Sequence, residues 1–278
     1  MSGLLKEKYK TAFVTGASSG LGEAFTRMLL KEGIRVWGTS RDVNKLGKLK
    51  NEFGDLFTLV SLDLADAESA LSVFKEVEIN AGNFDLVIQN AGFGVFGAFE
   101  GLPSTEWKKQ LDQMLLTTVL LSHAAWSSMR KKDSGILVHV SSLATEFPLP
   151  FMSGYNIAKA GLSALSESLI FEARGSGLCM IDFRPGDYRT AFNGGMQAAA
   201  LALEMRDPRL IRAWEALEKN LNEAPSALEA ALDLKRALER GNSGVIRSGG
   251  FFQARLAPLA ARLLPKWLMR SLSASYFK

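Results

Sequence analysis

Along this chain, short runs of consecutive apolar residues alternate with longer stretches in which apolar positions recur every three or four residues. The short runs predict strands over 11–15, 35–39, 57–62, 85–89, 135–140 and 179–183, with a seventh over 245–246. Between them the helical period predicts helices over 20–32, 44–53, 66–80, 104–130 and 154–174. Two more follow over 208–221 and 226–240, the second with Pro225 placed to open it. Strands that alternate with helices in this way imply an α/β fold, a doubly wound parallel sheet with helices on both faces and a C-terminal helical extension. No internal repeat or low-complexity linker divides the chain.

Length and composition sharpen that picture modestly. A chain of 278 residues, 47% hydrophobic and 22% charged, fits a single α/β domain with ample core. Its net charge is +4, but from Gly241 onward there are six Lys/Arg and no Asp/Glu, so the first 240 residues carry a net −2. A near-neutral body with a basic tail argues against a nucleic-acid binder built on a broad basic face. The lone Cys179 cannot form an internal disulfide and reads as a small buried hydrophobe, which fits a reducing, cytoplasmic setting. The N-terminus lacks the long apolar core of a signal peptide, and no run reaches the ~18 apolar residues of a spanning helix. His123 and His139 have no nearby cysteines or convincing carboxylate spacing, so no metal site is expected and a structural role is assigned to both.

Candidate chemistry clusters at the predicted strand ends. The stretch from Val140 to Lys159 leaves the fifth strand with Ser142 and enters a helix carrying Tyr155 and Lys159, four apart and therefore on one helical face. An ammonium ~4 Å from a phenol, at an effective dielectric of ~20, favours the phenolate by ~4 kcal/mol before desolvation subtracts. Such a pair brings a tyrosine within reach of acid–base work near neutrality. The first strand runs into Thr15-Gly-Ala-Ser-Ser-Gly-Leu-Gly22, whose Gly16, Gly20 and Gly22 follow a G-x-x-x-G-x-G spacing. Glycines there permit a tight turn and close backbone approach, and Ser18, Ser19, Leu21 and the following helix N-terminus offer N–H groups to a pyrophosphate. Ser40-Arg41 ends the second strand, where an acidic residue would hold a ribose 2′-OH and an arginine suits a 2′-phosphate instead. Asp63 and Leu64 close the third strand within reach of an adenine amino group, and Asn90-Ala91-Gly92 closes the fourth with small residues. Pro185-Gly186 and Thr190 follow the sixth.

Together these motifs closely resemble the short-chain dehydrogenase/reductase family, from about Thr11 to Thr190 and loosely on to Gly250. The resemblance implies a Rossmann-type domain over 1–250 that moves a hydride between a nicotinamide and a carbonyl or alcohol. It implies Tyr155 as general acid/base, Lys159 lowering its pKa and holding the nicotinamide ribose, and Ser142 positioning the substrate oxygen. It further implies Thr190 at the carboxamide, Asn90 beside the adenosine ribose, and NADP(H) rather than NAD(H) where an arginine stands as Arg41 does. One position departs from the pattern. Alignment places Met114 where such enzymes usually carry an asparagine of a water relay behind the lysine, and a thioether cannot replace that amide.

In this fold the loops Phe93–Phe99 and Phe147–Phe151 sit where ligands bind, and their aromatics serve either a greasy pocket or packing. Residues 188–225, with Met196 and an Ala/Leu run, take the place of a substrate lid. An apolar lid and loops favour a lipid-like or aromatic ketone, aldehyde or alcohol as the small-molecule substrate. The tail 251–278 sets Arg255, Arg262, Lys266 and Arg270 along one stripe beside an apolar face, broken by Pro258 and Pro265. It rests on an anionic membrane, or it packs on the body or at a subunit interface of a homodimer or homotetramer. Two other readings compete with the oxidoreductase: a nucleotide-binding sensor that has lost turnover, motivated by Met114, and a reductase of carrier-bound 3-oxoacyl groups, which requires a basic pocket mouth.

Overall fold

The computed structural model describes residues 4–190, 196, 207–250, 252–256, 258 and 265. Seven parallel strands form its sheet: β1 (Thr11–Val14), β2 (Arg35–Ser40), β3 (Phe57–Ser61), β4 (Leu86–Gln89), β5 (Gly135–Val140), β6 (Leu178–Pro185) and β7 (Gly244–Ser248). Their order is β3-β2-β1-β4-β5-β6-β7, with Ala12 in register with Val36 on one side and Leu86 on the other. The chain therefore winds outward in one direction to β3 and then in the other to β7. The reversal between β1 and β4 opens a crevice at the strands' carboxyl ends.

Both faces of the sheet are covered, which is why its strands are continuous apolar runs rather than alternating ones. Ala12, Val14, Ile88, Val138 and Ile181 point to one side, where they pack on Phe25, Leu49, Leu234 and Leu238. Phe13, Val87, Leu137 and Met180 point to the other, against Phe74, Phe84, Leu121 and Leu169. Helices α2 (Gly20–Lys31), α3 (Gly47–Phe53) and α9 (Ala227–Arg240) make the first layer. The second is α4 (Ala67–Ala81), α6 (Thr117–Lys132) and α7 (Ser153–Glu172). Local sequence sets several boundaries: Asp66 accepts from Ser69 N to cap α4, and Gly82 ends it at φ +74°.

Three details differ from the sequence reading. The predicted helix over 104–130 is α5 (Ser104–Leu111) and α6 joined by a π-turn over Asp112–Leu116, where Thr118 Oγ1 donates to the carbonyl of Gln113 five residues back. Hydrophobic spacing continues through that turn, so the periodicity does not register the extra residue. The N-terminal α1 (Leu4–Lys8) is too short to leave a period, yet Leu5 is fully buried. Pro225 precedes the N-cap Ser226 rather than opening α9. The helix α8 (Pro208–Glu223) starts as expected behind Asp207, whose carboxylate accepts from Arg209 N. Of the expected lid, 191–195 and 197–206 lie outside the described residues, as does most of the tail.

Candidate active site

A cavity of ≈ 1150 Å³ lies over the carboxyl ends of the strands. It is lined by Gly16, Ser18, Ser19, Gly20 and Leu21 after β1, and by Ser40 and Arg41 after β2. Asp63, Leu64, Asn90, Ala91 and Gly92 follow β3 and β4; Ser142, Tyr155 and Lys159 follow β5; Pro185, Gly186 and Thr190 follow β6. Gly22 is the one expected site residue outside the lining. Its place is behind the loop: a Cβ there would stand 2.1 Å from the Gly16 carbonyl oxygen and 2.5 Å from Asn90 Nδ2.

The loop after β1 is shaped by backbone. Gly16 and Gly20 sit at φ +70° and +57°, which disfavour any side chain. Among the described residues no side chain caps α2, the N-cap Ser19 included. Thr15 and Asn90 tie this loop to the β4 end: Thr15 Oγ1 accepts from Asn90 N (2.8 Å) and Ala91 N (3.0 Å), and Asn90 Nδ2 donates to the Thr15 carbonyl at 3.0 Å. The side chain expected beside a ribose thus also braces the loop. Arg41 is exposed, and Lys45, four residues on, lines the same end of the cavity. Sequence reasoning passed over Lys45, although the Arg41-to-Lys45 spacing directly after a strand was available.

Across the cavity, chemistry is carried by side chains. Ser142, extended at φ −170°, accepts from Ala144 N at 3.0 Å. Burial pushes the Tyr155 phenol up to about 12; its hydrogen bond with Ser142 pulls it down, and the Asp187 carboxylate pushes it further up. The expectation that Lys159 brings the phenol toward neutrality is therefore not met here. The ammonium donates to the Val140 carbonyl at 2.7 Å and lies 5.8 Å from the phenol ring centroid. Burial also drives Lys159 itself down to about 8, opposed by Asp182. Desolvation is the largest influence on both members of the pair. Met114 is buried beside this pair: a Cβ on Gly92 would meet Met114 Cε at 3.3 Å and Lys159 Nζ at 3.6 Å.

The aromatic loops divide their labour. Phe93, Val95, Phe147 and Leu149 line the cavity with Met152, Met196, Leu217 and Leu221. Phe96 packs behind them, 5.2 Å from Trp214 and 5.8 Å from Phe151, while Phe99 is exposed against Trp107. His139 is wholly buried between Ser122 and Ser166 at 2.8 Å each, and burial holds it down at about 3, in keeping with a structural role. Cys179 is buried as expected. Asp187, Gln113 and Gln253 also line the cavity and were not anticipated.

A family model described as short chain dehydrogenase matches residues 10–200. The chain is 26% identical over 263 residues to a 3-ketodihydrosphingosine reductase of Bacteroides thetaiotaomicron, covering 92% of this chain and 91% of that one. A short-chain dehydrogenase from Streptomyces avermitilis superposes with a TM-score of 0.79 at 26% identity, over 95% of this chain and 98% of that one. A metagenomic short-chain oxidoreductase in complex with NADP aligns at 30% identity and TM-score 0.61, over 70% of this chain and 91% of the other. No described helix is long and apolar enough to cross a membrane. The chain belongs to the short-chain dehydrogenase family and is an oxidoreductase of that family.

Proposed function

We propose that this protein is an NADP(H)-dependent oxidoreductase acting on an apolar ketone or aldehyde, or on the corresponding alcohol. The observation that carries the reading is that Ser142, Tyr155 and Lys159 open into one cavity with a glycine loop that offers bare backbone. The loop fits a dinucleotide: no Cβ is tolerated at Gly22, and the uncapped start of α2 presents N–H groups to a pyrophosphate. When bound, the nicotinamide supplies or accepts the hydride at the substrate carbon. The chain's own residues do the rest. Ser142 holds the substrate oxygen, and Tyr155 gives that oxygen its proton in reduction and, as the phenolate, takes the proton back in oxidation. Lys159, anchored on Val140, sets the charge beside the phenol. Arg41 and Lys45 form a cationic end suited to a 2′-phosphate, which favours NADP(H) over NAD(H). The apolar wall of Leu149, Met152, Met196, Leu217 and Leu221 favours a lipid-like or aromatic substrate, in line with the relative named as a 3-ketodihydrosphingosine reductase.

The test is Tyr155→Phe, which keeps the ring and removes the proton donor. Turnover of a ketone panel should fall by roughly 10²–10⁴-fold, while quenching of protein fluorescence by NADPH persists. Near-normal turnover would sink the mechanism. A wild type that binds NADPH tightly and reduces nothing in the panel would favour the sensor reading that Met114 beside Lys159 motivates. Exposed Leu116, Leu120, Ile157 and Phe171 on the π-turn, α6 and α7 support assembly as a homodimer or homotetramer.

A further inference from the structure

We infer that Asp182, fixed by Arg184 and hydrogen-bonded to Ser141 and Ser163, is a positioning residue of this active site: it ties together the two segments that carry the catalytic side chains and supplies the counter-charge of Lys159. The inference rests on the reading of Ser142, Tyr155 and Lys159 as the catalytic wall.

A strand buried on both faces is normally apolar throughout. β6 is not: Asp182 is wholly buried in its middle, and Arg184, two residues on and on the same face, is buried as well. Fold stability does not account for the pair, because apolar residues of similar volume often serve a core as well or better. Its contacts point to the catalytic wall. Asp182 Oδ1 accepts from Ser141 Oγ, and Oδ2 accepts from Ser163 Oγ at 2.7 Å and from Arg184 Nε at 2.8 Å. Ser141 directly precedes Ser142 and lines the cavity with it. Ser163 follows Lys159 by one turn on the buried face of α7. Arg184 repeats the pattern: it donates to Glu146 and to Ser163 Oγ at 2.8 Å each, and to Glu167 at 3.1 Å. Glu146 closes the short turn Leu143–Thr145 that leaves Ser142, and Glu167 lies on α7. Two residues of β6 thus hold the exit from β5 against the catalytic helix.

The cluster is also short of a cation. Asp182, Glu146 and Glu167 face Arg184 and Arg247, which donates to Glu146 at 2.8 Å, and one negative charge is left over. The cation buried on this face of α7 is Lys159. Asp182 is the charge that holds Lys159 up against burial. The other groups around Lys159 do different work. His139 on β5 is held neutral by burial, and Asp187 after β6 acts on the Tyr155 phenol. Met114 and Gly92, also beside Lys159, carry no charge.

The test is the pH dependence of ketone reduction by NADPH in wild type and Asp182→Asn. Reduction needs Tyr155 protonated, and burial keeps it so up to about 12, so a falling limb at about 8 belongs to Lys159. Withdrawing a carboxylate makes the ammonium easier to lose. The limb should therefore move down by roughly one pH unit, and turnover above it should fall roughly tenfold further than turnover below it. Arg184 keeps Glu146 and Glu167 as partners in this variant. Ser163→Ala keeps every charge and removes only the hydroxyl that joins Asp182 to α7. It should slow turnover roughly two- to fivefold at every pH and leave the limb in place. Should Asp182→Asn fail to fold, the double variant Asp182→Asn, Arg184→Met withdraws both charges of the buried pair, a change that cores often accept. It should move the limb the same way, since Asp182 is the charge that acts on Lys159. Profiles of Asp182→Asn and wild type that superpose after scaling, or a limb that moves up, overturn the inference and leave the proposed function standing. A Ser163→Ala enzyme as fast as wild type, or with its limb displaced as far as that of Asp182→Asn, overturns it as well. A wild type that reduces no ketone at any pH overturns the proposed function and the inference with it.

Discussion

The two walls of the cavity recognise in different ways. The wall after β1 and β4 is backbone: positive-φ glycines, the uncapped start of α2, and Asn90 and Thr15 bracing the loop from behind. The wall after β5 and β6 is side chain: Ser142, Tyr155, Lys159 and Asp187, each with its pKa or orientation set by neighbours. A backbone wall has no intermediate settings, because one extra carbon either fits or does not. A side-chain wall is graded, since charge and burial shift its properties by degrees. The first suits a ligand that never changes, and the second suits a substrate that differs from relative to relative.

The sharpest break of this comparison is Gly22→Ala. A Cβ 2.1 Å from the Gly16 carbonyl oxygen must displace the loop or the helix. The expected loss of stability is ~3 kcal/mol, the upper part of the overpacking range, together with loss of NADPH binding. Gly47→Ala is the control: this residue begins α3 at φ −55° with nothing within 4 Å of its would-be Cβ. It should gain roughly 0.4–1 kcal/mol by restricting the unfolded chain. Urea unfolding of both variants measures this directly. If Gly22→Ala unfolds like wild type, the loop is not the rigid wall described.

The backbone wall was also the more legible one. Glycine spacing after a predicted strand identifies Gly16, Gly20 and Gly22, and strands buried on both faces leave unmistakable apolar runs. Ser142, Tyr155 and Lys159 were visible as well, since they lie within one strand–loop–helix segment. Their energetics were not. The pair's spacing suggested an attraction that lowers the phenol, whereas burial, which depends on the whole fold, raises it to about 12. Gln253 was out of reach for another reason: it meets Asp187 across 66 residues, and nothing local marks a glutamine as a clamp. The π-turn at Asp112–Leu116 escaped because an extra residue in a helix leaves the apolar period nearly intact.

A smaller effect is expected at the β2 end of the backbone wall, where side chains intrude. Arg41 and Lys45 are exposed, so their charges act through solvent and are screened by salt. Arg41→Asp should reverse a preference for NADPH over NADH, with a swing of roughly tenfold to a hundredfold in relative affinity. Isothermal titration with both cofactors at low and high salt measures it. Equal affinity of wild type for the two would remove the 2′-phosphate from this corner.

Met114 tests the side-chain wall at its most apolar point, and the expected effect is the smallest. The residue is 2% exposed, and its Cε sits near Gly92 beside the Lys159 ammonium, where the family resemblance leads one to expect an amide. With a thioether there, a proton relay to Lys159 and Tyr155 would have to run by another path. Thr117 and Thr118 are poor candidates, because their hydroxyls donate to the carbonyls of Leu64 and Gln113. Gln113 is a better one: it lines the cavity one residue earlier, on the turn where the helix register shifts. If delivery by that path limits turnover, wild type shows a large solvent deuterium effect. Met114→Asn should then raise turnover by a factor of roughly two to five, the worth of one modest hydrogen bond, and shrink the isotope effect. Cofactor affinity should hardly move, which separates a relay from general repacking. Burying an amide without partners costs ~1–3 kcal/mol. A variant that is less stable, no faster and unchanged in isotope effect would therefore mean that Met114 only packs. In that case Gln113→Leu should slow turnover in the Met114 enzyme while leaving NADPH binding intact, since the amide that matters would already be present one position away.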